Sequence, residues 1–479
     1  MNQTQLSTRR IWLVLLAIGM FTFMSTLDSS IINIALPVIS KDLNIPMNQA
    51  TWSVSIYLIM ISGLLTLFGN LGDQMGKIRI FKWGTYVFTF GSMLAGINLG
   101  LPFLLFARVV QAIGAAMTMS NSFGISTTIA PQKMRARAMA TIAMFVSLGA
   151  IAGPAVGGLI LSILPWSYIF WINVPLGIVT IILGAFLFPA SEGSEEPLSV
   201  DWVGVALLFF LITTFFVGLN IGQENGFFSM LPILSYGLTL LLLMGFIYWE
   251  QRVSKPLLDL SIFKIKLFTL SILTSFLVFA SGFFINVLLP FYLQNLRGVA
   301  PGEAGLYMMA YPAAMLIGAP ISGAVADKFD RENVTLFALT GITIGMAGWL
   351  FIDAHSPLFM VVILGAWTGL GTAFFNSPNN AITMSNAPAA QLGVAGSLNA
   401  LARNLGMVSG TTAVTTALYL SMSQQIGHQV VTYPVGKPEV FVQGMHFAMV
   451  FGLLLVIIAW LLTAYRVVLR MKSQIIHHD

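Results

Sequence analysis

The sequence predicts an all-α polytopic membrane protein: two pseudo-symmetric six-helix bundles plus two inserted helices, fourteen transmembrane helices in all. Three observations carry that prediction. Of the 479 residues, 57% are apolar and only 8% charged, with a mean hydropathy of +0.88, whereas a soluble protein carries about 25% charged residues. A chain this apolar would expose more hydrophobic surface than a soluble monomer tolerates, which excludes a soluble enzyme, a nucleic-acid-binding module and a disordered chain. Fourteen apolar stretches approach the ~20 residues that a spanning helix needs. Finally, a short charged motif recurs 254 residues further along the chain.

The first six stretches, 11–38, 48–71, 80–99, 101–128, 138–162 and 167–189, form the expected N-terminal bundle over residues 1–190. The first follows Arg9 and Arg10 and exceeds the ~7–15-residue core of a secretory signal, so it is expected to stay as a span. The stretches 201–221 and 229–249, bounded by acidic 191–198 and charged 250–266, form the expected insert over 191–266. The last six, 267–294, 303–326, 334–352, 356–381, 390–421 and 442–466, complete the C-terminal bundle over 267–479. Lipid admits only helices and closed barrels, and runs such as 238–248 lack the alternation of a barrel strand.

Charge sets the expected orientation. With the N-terminus inside, 17 of the 22 Lys and Arg residues fall in cytosolic segments, only Lys41, Arg297 and Lys437 lie on the other side, and Arg108 and Arg403 lie within spans. Positive charge is retained on the cytosolic face, so both termini are expected there. The basic balance, +5 with pI near 9.4, then reports topology rather than a nucleic-acid partner. The absence of cysteine excludes disulfides, a thiolate metal site and a Cys nucleophile.

The repeat reads Gly69-Asn-Leu-Gly-Asp73-Gln-Met-Gly76-Lys77 after the second span and Gly323-Ala-Val-Ala-Asp327-Lys-Phe-Asp330-Arg331 at the end of the tenth. Ala112-Ile-Gly114 and Gly369-Leu-Gly371 repeat at an offset of 257. Concordant offsets imply two related halves, a transporter signature that puts the substrate path between them. In the loop motif, Gly72 and Gly76 permit a tight turn, Asp73 is expected to accept amides at a helix N-terminus, and Lys77 and Arg79 are placed to pair across the halves. Ordinary turn chemistry is the alternative.

Asp28, in Leu27–Pro37 of the first span, is the one carboxylate deep in the N-terminal half. A charge there costs at least ~2.5–3.5 kcal/mol and by default marks an ion or substrate path; protonation removes most of that cost. A structural ion pair is the competing reading. Arg108 and Gln111 lie on the fourth span at a compatible depth, at ~1.5 Å per residue. Arg cannot deprotonate, so Arg108 would tune Asp28 or serve as a structural cation. On the fifth span Gly149, Gly153 and Gly157 share one face, with Pro154 and Gly158 beside them, a groove for close helix approach with a kink at the proline. Arg403 lies ~20 Å into the thirteenth span, in Asn399-Ala-Leu-Ala-Arg403-Asn404, placed either to bind an anionic substrate group or to position a helix. Cavity candidates are Asn33, Asn286, Tyr292, Tyr307, Tyr311, Asn376, Asn379 and Asn399, although such residues also serve as packing between helices.

Four stretches, Leu27–Pro37, Gly69–Arg79, Arg108–Ala116 and Gly149–Ile160, with Trp166–Gly177 as a fifth, resemble the major facilitator superfamily, specifically its fourteen-helix drug:proton antiporter branch. The resemblance covers the whole chain. It implies the two-bundle major facilitator fold, a central cavity and proton-driven export of amphipathic compounds, with no cofactor beyond the proton as coupling ion. By position it gives Asp28 the proton and cation role, Arg108 the proton relay, Asp73 a conformational lock shared with Asp327 and Arg331, and Gly153–Pro154 the antiport hinge. It implies small amphipathic substrates, contact with membrane lipids, a monomer, and a multi-pass place in a bacterial cytoplasmic membrane. Gln74, Ala112 and Asp330 depart from the usual motif residues, and the last six spans hold no deep Asp or Glu. The last departure weighs against dicationic substrates. A dedicated exporter of one endogenous amphiphile is the alternative on the same fold. A nucleotide-driven pump is disfavoured because Gly76-Lys77 is followed by Ile78 rather than Ser or Thr.

Overall fold

The computed structural model describes residues 7–476 apart from 132–133, 190–199, 227–228, 255, 259, 389–391, 429, 431 and 435. Its long helices are α1 (Thr8–Asp42), α2 (Met47–Met75), α3 (Lys77–Ala95), α4 (Leu101–Ile129), α5 (Arg135–Ile163), α6 (Tyr168–Trp171) with α7 (Asn173–Leu187), α8 (Trp202–Asn225) and α9 (Met230–Glu250). They continue with α10 (Lys266–Phe291), α11 (Pro301–Met308) with α12 (Ala310–Lys328), α13 (Arg331–Trp349), α14 (Leu358–Ser385), α15 (Leu392–Ile426) and α16 (Pro438–Ile476). Each of the fourteen apolar stretches falls on one helix or one broken pair. The acidic segment 191–198 lies outside the described residues.

The two breaks share a cause. Pro175 and Pro312 have no N–H to give the carbonyls of Trp171 and Met308, and the helix interrupts at Ile172 and Met309, between donor and acceptor. Among the described residues, eleven of the helical stretches are long and apolar enough to cross a membrane. The helices outside that set are α3, whose first turns carry Lys77, Arg79 and Lys82, α13, and α15, which is rich in Ser, Thr, Gly and Asn. These pack against protein neighbours, α3 on α4 and α7, α13 on α14 and α16, and α15 on α10 and α16, so protein contact replaces part of the hydropathy a lipid-facing helix needs.

The pairing of helices repeats. In the first half α1 packs on α5, and α2 and α3 on α4; in the second, α10 packs on α15, and α12 and α13 on α14. The α1–α5 crossing is made by glycine: a Cβ on Gly149 would lie 2.5 Å from the Phe23 carbonyl oxygen, and one on Gly153 would collide with Ser30. On α15, Gly406 would meet the Phe276 carbonyl at 2.5 Å and Gly410 the Ala280 carbonyl. Gly149 and Gly406, like Gly153 and Gly410, are 257 residues apart, the offset of the glycine steps on α4 and α14. The glycine ladder of α5 therefore has a counterpart in the second half.

The halves meet at the ends of the helices remote from the chain termini. There Gly158 approaches Pro301, with 2.5 Å from its Cβ position to the carbonyl oxygen, Gly305 abuts the Pro154 carbonyl, and Gln294 Nε2 donates to the Ile34 carbonyl at 2.9 Å. Loops on this side are tied down: Trp166 Nε1 donates to Asp42 at 2.7 Å, and Arg297 donates to Tyr292 Oη and to the Ser356 carbonyl. The inserted pair α8–α9 lies at the flank, α8 touching α2 and α15 while α9 packs mainly on α8 and exposes Met230, Leu234, Leu241 and Tyr248.

On the terminal side the second half contains a buried ion pair that spacing did not reveal. Arg466 Nη2 lies 2.7 Å from Glu332 Oε2, Arg466 Nη1 donates to Asn379 Oδ1 at 2.9 Å, and Asn379 Nδ2 donates to the Ser271 carbonyl at 3.2 Å. Arg466 is fully buried and Glu332 nearly so. Removing one partner of such a pair leaves the other charge buried and uncompensated, at a cost of ~3–5 kcal/mol. Arg466→Met is expected to lower the melting temperature of the purified protein strongly, and adding Glu332→Leu to recover most of the loss; thermal unfolding in detergent measures both.

Candidate functional site

The site grows from one carboxylate in an apolar helix. Asp28 sits midway along α1, among Leu27, Ile31 and Ile32, and is completely buried. Three donors converge on it from other helices. Arg108 Nη1 of α4 contacts Oδ2 at 2.6 Å, while Gln111 Nε2 of α4 and Asn173 Nδ2 of α7 each donate to Oδ1 at 2.8 Å. Arg108 and Gln111 reach the same carboxylate because they are three residues apart on one helix face.

Arg108 is held on every side. Its Nε donates to the Ser53 carbonyl of α2 at 2.9 Å, and Nη1 donates also to Gln111 Oε1 at 2.6 Å. The Tyr57 ring lies 4.0 Å and the Phe170 ring 5.6 Å from its Cζ, cation–π distances. Gln111 is fixed in turn by donation to Ser92 Oγ of α3 at 2.8 Å. The ion pair thus ties α1, α2, α3, α4, α6 and α7 to one point, two residues along α1 from the Ser30–Gly153 crossing of α1 on α5. The Ser30 hydroxyl donates there to the Gly149 carbonyl at 3.2 Å.

As a carboxylate Asp28 satisfies Arg108, Gln111 and Asn173 together, and it has no solvent-accessible surface in this conformation.

The structure brings Asp28, Arg108 and Gln111 together and separates the other candidates from them. Arg403 lies on α15 in the second half, its Cζ 5.6 Å from the Phe279 ring. Asn399 Nδ2 donates to Asn380 Oδ1 at 2.8 Å. Two cavity candidates need correction: Tyr292 and Asn379 are each 1% exposed and present no face to a cavity. The Tyr292 hydroxyl donates to the Asp353 carbonyl, and Asn379 serves the Arg466 pair. Asn33 and Asn286 donate to carbonyls four residues back on their own helices, Tyr307 donates to Glu303, and Tyr311 to Thr372 Oγ1 at 3.3 Å. Asn376 is half-buried on α14. An apolar cavity of about 670 Å³ lies elsewhere, between α8–α9 and the second half, lined by Leu211, Phe215, Leu243, Phe276, Leu405 and Phe451.

At the repeated loop Gly76 adopts φ 99°, the left-handed region that favours glycine, and turns the chain from α2 into α3. Gly72 abuts Asn121, and Gly69 faces Ser120, both of α4. Asp73 does not take amides at a helix N-terminus. It stands on the last turn of α2 and pairs with Lys77 at the start of α3, within its own half. Arg79 follows on the first turn of α3. In the second copy the Asp327 side chain lies outside the described residues, and Arg331 opens α13 behind Asp330, which caps that helix and pairs with Arg470. With 65% of the Asp73 side chain exposed, the pair with Lys77 is worth only ~0.3–0.5 kcal/mol. Asp73→Asn is therefore expected to leave the melting temperature nearly unchanged while slowing turnover at constant substrate affinity, measured by transport rate alongside direct binding.

Ser53, Tyr57 and Ser92 carry no mark in the sequence, while Phe170 and Asn173 fall within the Trp166–Gly177 stretch without an assigned role. The recoverable signal was Asn173 itself, an amide directly before the apolar run of α7.

The sequence profile of the Major Facilitator Superfamily matches residues 18–411 and, in a second placement, 271–472. The chain belongs to the Major Facilitator Superfamily. Among curated relatives, this transporter is 34% identical over 400 residues to the riboflavin transporter RibZ of Clostridioides difficile, covering 84% of this chain and 86% of RibZ. It is 30% identical over 431 residues to the multidrug export protein EmrB of Escherichia coli, covering 87% and 81%. The tetracenomycin C resistance and export protein of Streptomyces glaucescens is 28% identical, covering 87% and 77%. Two of these relatives are export proteins, consistent with the drug-export branch of the superfamily. The crystal structure of a peptide transporter, POT, in complex with sulfate superposes with a TM-score of 0.67 at 18% identity, covering 94% of this chain and 95% of that one. An inward-facing bacterial homologue of the human lysosomal transporter Spinster gives 0.65 at 14%, covering 96% and 97%. This major facilitator protein is a multi-pass membrane transporter, not an enzyme.

Proposed function

We propose that this transporter exports amphipathic compounds from the cytosol in exchange for protons, by alternating access of its two halves. The observation that carries the reading is the fully buried Asp28–Arg108 pair with its converging amides, set beside the glycine crossing of α1 on α5. Proton binding at Asp28 breaks the contact that holds six helices together, and so links a chemical event to helix movement. The distribution of Lys and Arg supports a cytosolic placement of both termini, as in a bacterial cytoplasmic membrane. On that orientation the Gly158–Pro301 and Gly305–Pro154 contacts close the outer side, and the conformation is inward-facing. Similarity to proteins named for multidrug export and tetracenomycin resistance supports the direction and breadth of transport. The two halves serve as the moving bodies, the inserted helices as a flank, and the proton as the only coupling ion, within a monomer.

A second reading, a dedicated carrier of one amphiphile, is favoured by the 34% identity to a riboflavin transporter. Reconstituted vesicles loaded with several unrelated amphipathic dyes separate the two. Export of several dyes, collapsing when the pH gradient is dissipated, is the expected result. Export restricted to one compound overturns the multidrug breadth, and export indifferent to the gradient overturns proton coupling.

A further inference from the structure

Three arginines are enclosed among the helices, Arg108 and Arg466 fully and Arg403 partly, and two have carboxylates: Arg108 has Asp28 and Arg466 has Glu332. Arg403 is the exception. Among the described residues its guanidinium has no carboxylate and no hydrogen-bond partner; Nε is buried without an acceptor, and its recorded contact is the Phe279 ring. One turn away on the same face of α15, Asn399 Oδ1 is likewise buried without a donor. Both face inward: Asn399 bonds Asn380 of α14, Arg403 lies over Phe279 of α10, and Gly406 and Gly410 continue the stripe into the α10 contact. The face that lines the apolar cavity toward α8, Leu405, Ser409, Thr412 and Thr416, is a different one, and its Thr412 and Thr416 hydroxyls are bonded within α15.

A guanidinium at this depth without a counter-charge is unfavourable, and intramembrane arginines normally pair or mark a substrate path. Of the three, Arg403 is the one without a carboxylate among the described residues. We propose that Arg403, with Asn399 and Asn380, forms the polar end of the substrate site and receives an anionic oxygen group, a carboxylate or its equivalent, carried on an apolar body. The guanidinium offers the fork geometry that carboxylates accept, the free Asn399 oxygen accepts a neighbouring hydroxyl or N–H of the same molecule, and Phe279 supplies an apolar wall. Arg403 stands ~17 Å along α15, about half the ~30 Å hydrocarbon thickness, too deep for the headgroup of a lipid in its leaflet. The ligand is therefore a transported solute. This assignment rests on reading the chain as an exporter of amphiphiles and names their charge class.

The test is equilibrium binding, with no pH gradient, of a dansyl-labelled undecanoic acid and its methyl ester to the purified transporter in nanodiscs of neutral phospholipid. The wild type is expected to prefer the acid by ~10-fold, the scale of one charge-assisted hydrogen bond. Arg403→Gln should bind acid and ester alike, and Arg403→Lys should retain part of the preference. Equal affinity in the wild type, no measurable binding of the acid, or a preference surviving in Arg403→Gln overturns the proposal. Loss of acid binding when phosphatidylglycerol is added to the discs assigns the site to lipid headgroups and also overturns it. The acid–ester comparison in the wild type decides the matter even if a variant does not fold. Because no gradient is used, failure here leaves proton-coupled export standing, and failure of coupling leaves the anion site standing.

Discussion

Asp28→Asn is expected to abolish pH-gradient-driven transport. The substitution keeps the shape of the side chain and removes both its charge and its proton exchange. It also inverts hydrogen-bond logic. If the new carbonyl faces Arg108, the new NH₂ faces Gln111 Nε2 and Asn173 Nδ2, which are both donors. Arg108 becomes a buried cation with no counter-charge, a loss of ~3–5 kcal/mol, so the single variant is expected to melt earlier as well. Combining it with Arg108→Gln removes the orphaned charge and should restore most of the stability without restoring coupling. Vesicle transport with and without a pH gradient, paired with melting curves of the single and double variants, checks both halves. Gradient-driven transport in either variant, at the wild-type rate, would show that Asp28 does not carry the coupling proton.

The second large effect concerns the contact between the halves. The Cβ position of Gly302 is 3.7 Å from Ser162 Cβ, and the chain has no native cysteine. That separation suits a disulfide, for which Cβ atoms lie ~3.5–4.5 Å apart. Ser162→Cys with Gly302→Cys is expected to cross-link readily under mild oxidation and to stop transport, with reduction restoring it. Gly158→Leu should act in the opposite sense. Its side chain would enter space held by the Pro301 carbonyl and Gly302 Cα, at 2.5 and 3.0 Å from the Cβ position, and backbone atoms cannot rotate aside. The halves must part on this face, so the same cysteine pair in a Gly158→Leu background should cross-link slowly. Unchanged cross-linking rates in that background would mean that Gly158 does not govern closure.

Much of this architecture was legible because lipid penalises the wrong residue so heavily. The helical class, the fourteen stretches and the recurrence of two halves follow from apolar runs and from offsets of 254 and 257 residues. Asp28, Arg108 and Gln111 stood out because charge and amide are scarce in such runs. Depth along a helix put the first two at the same level, and the fold joins them. Arg466 carries no such mark in the sequence, for the complementary reason. Placed near a helix end among other basic residues, it resembled a topology charge, whereas the packing of α13 and α14 encloses it with Glu332 and Asn379. Asp73 likewise had the composition of a helix-start acid, but α2 runs through it to Met75, and the turn falls at Gly76.

The sequence by itself determined the element type, the span order, the repeat and the identity of the central ion pair, because these depend on local composition and on the cost of burying charge. Tertiary structure decided which partners complete each charge. Ser53, Tyr57 and Asn173 reach Arg108 or Asp28 from 51 to 145 residues away along the chain, distances that no local periodicity encodes. The same packing distinguishes Arg108 and Arg466, each enclosed with a carboxylate, from Arg403, which has none among the described residues. A buried charge must be paired by whatever the fold brings near it, and only the assembled helices show where that pairing was left open.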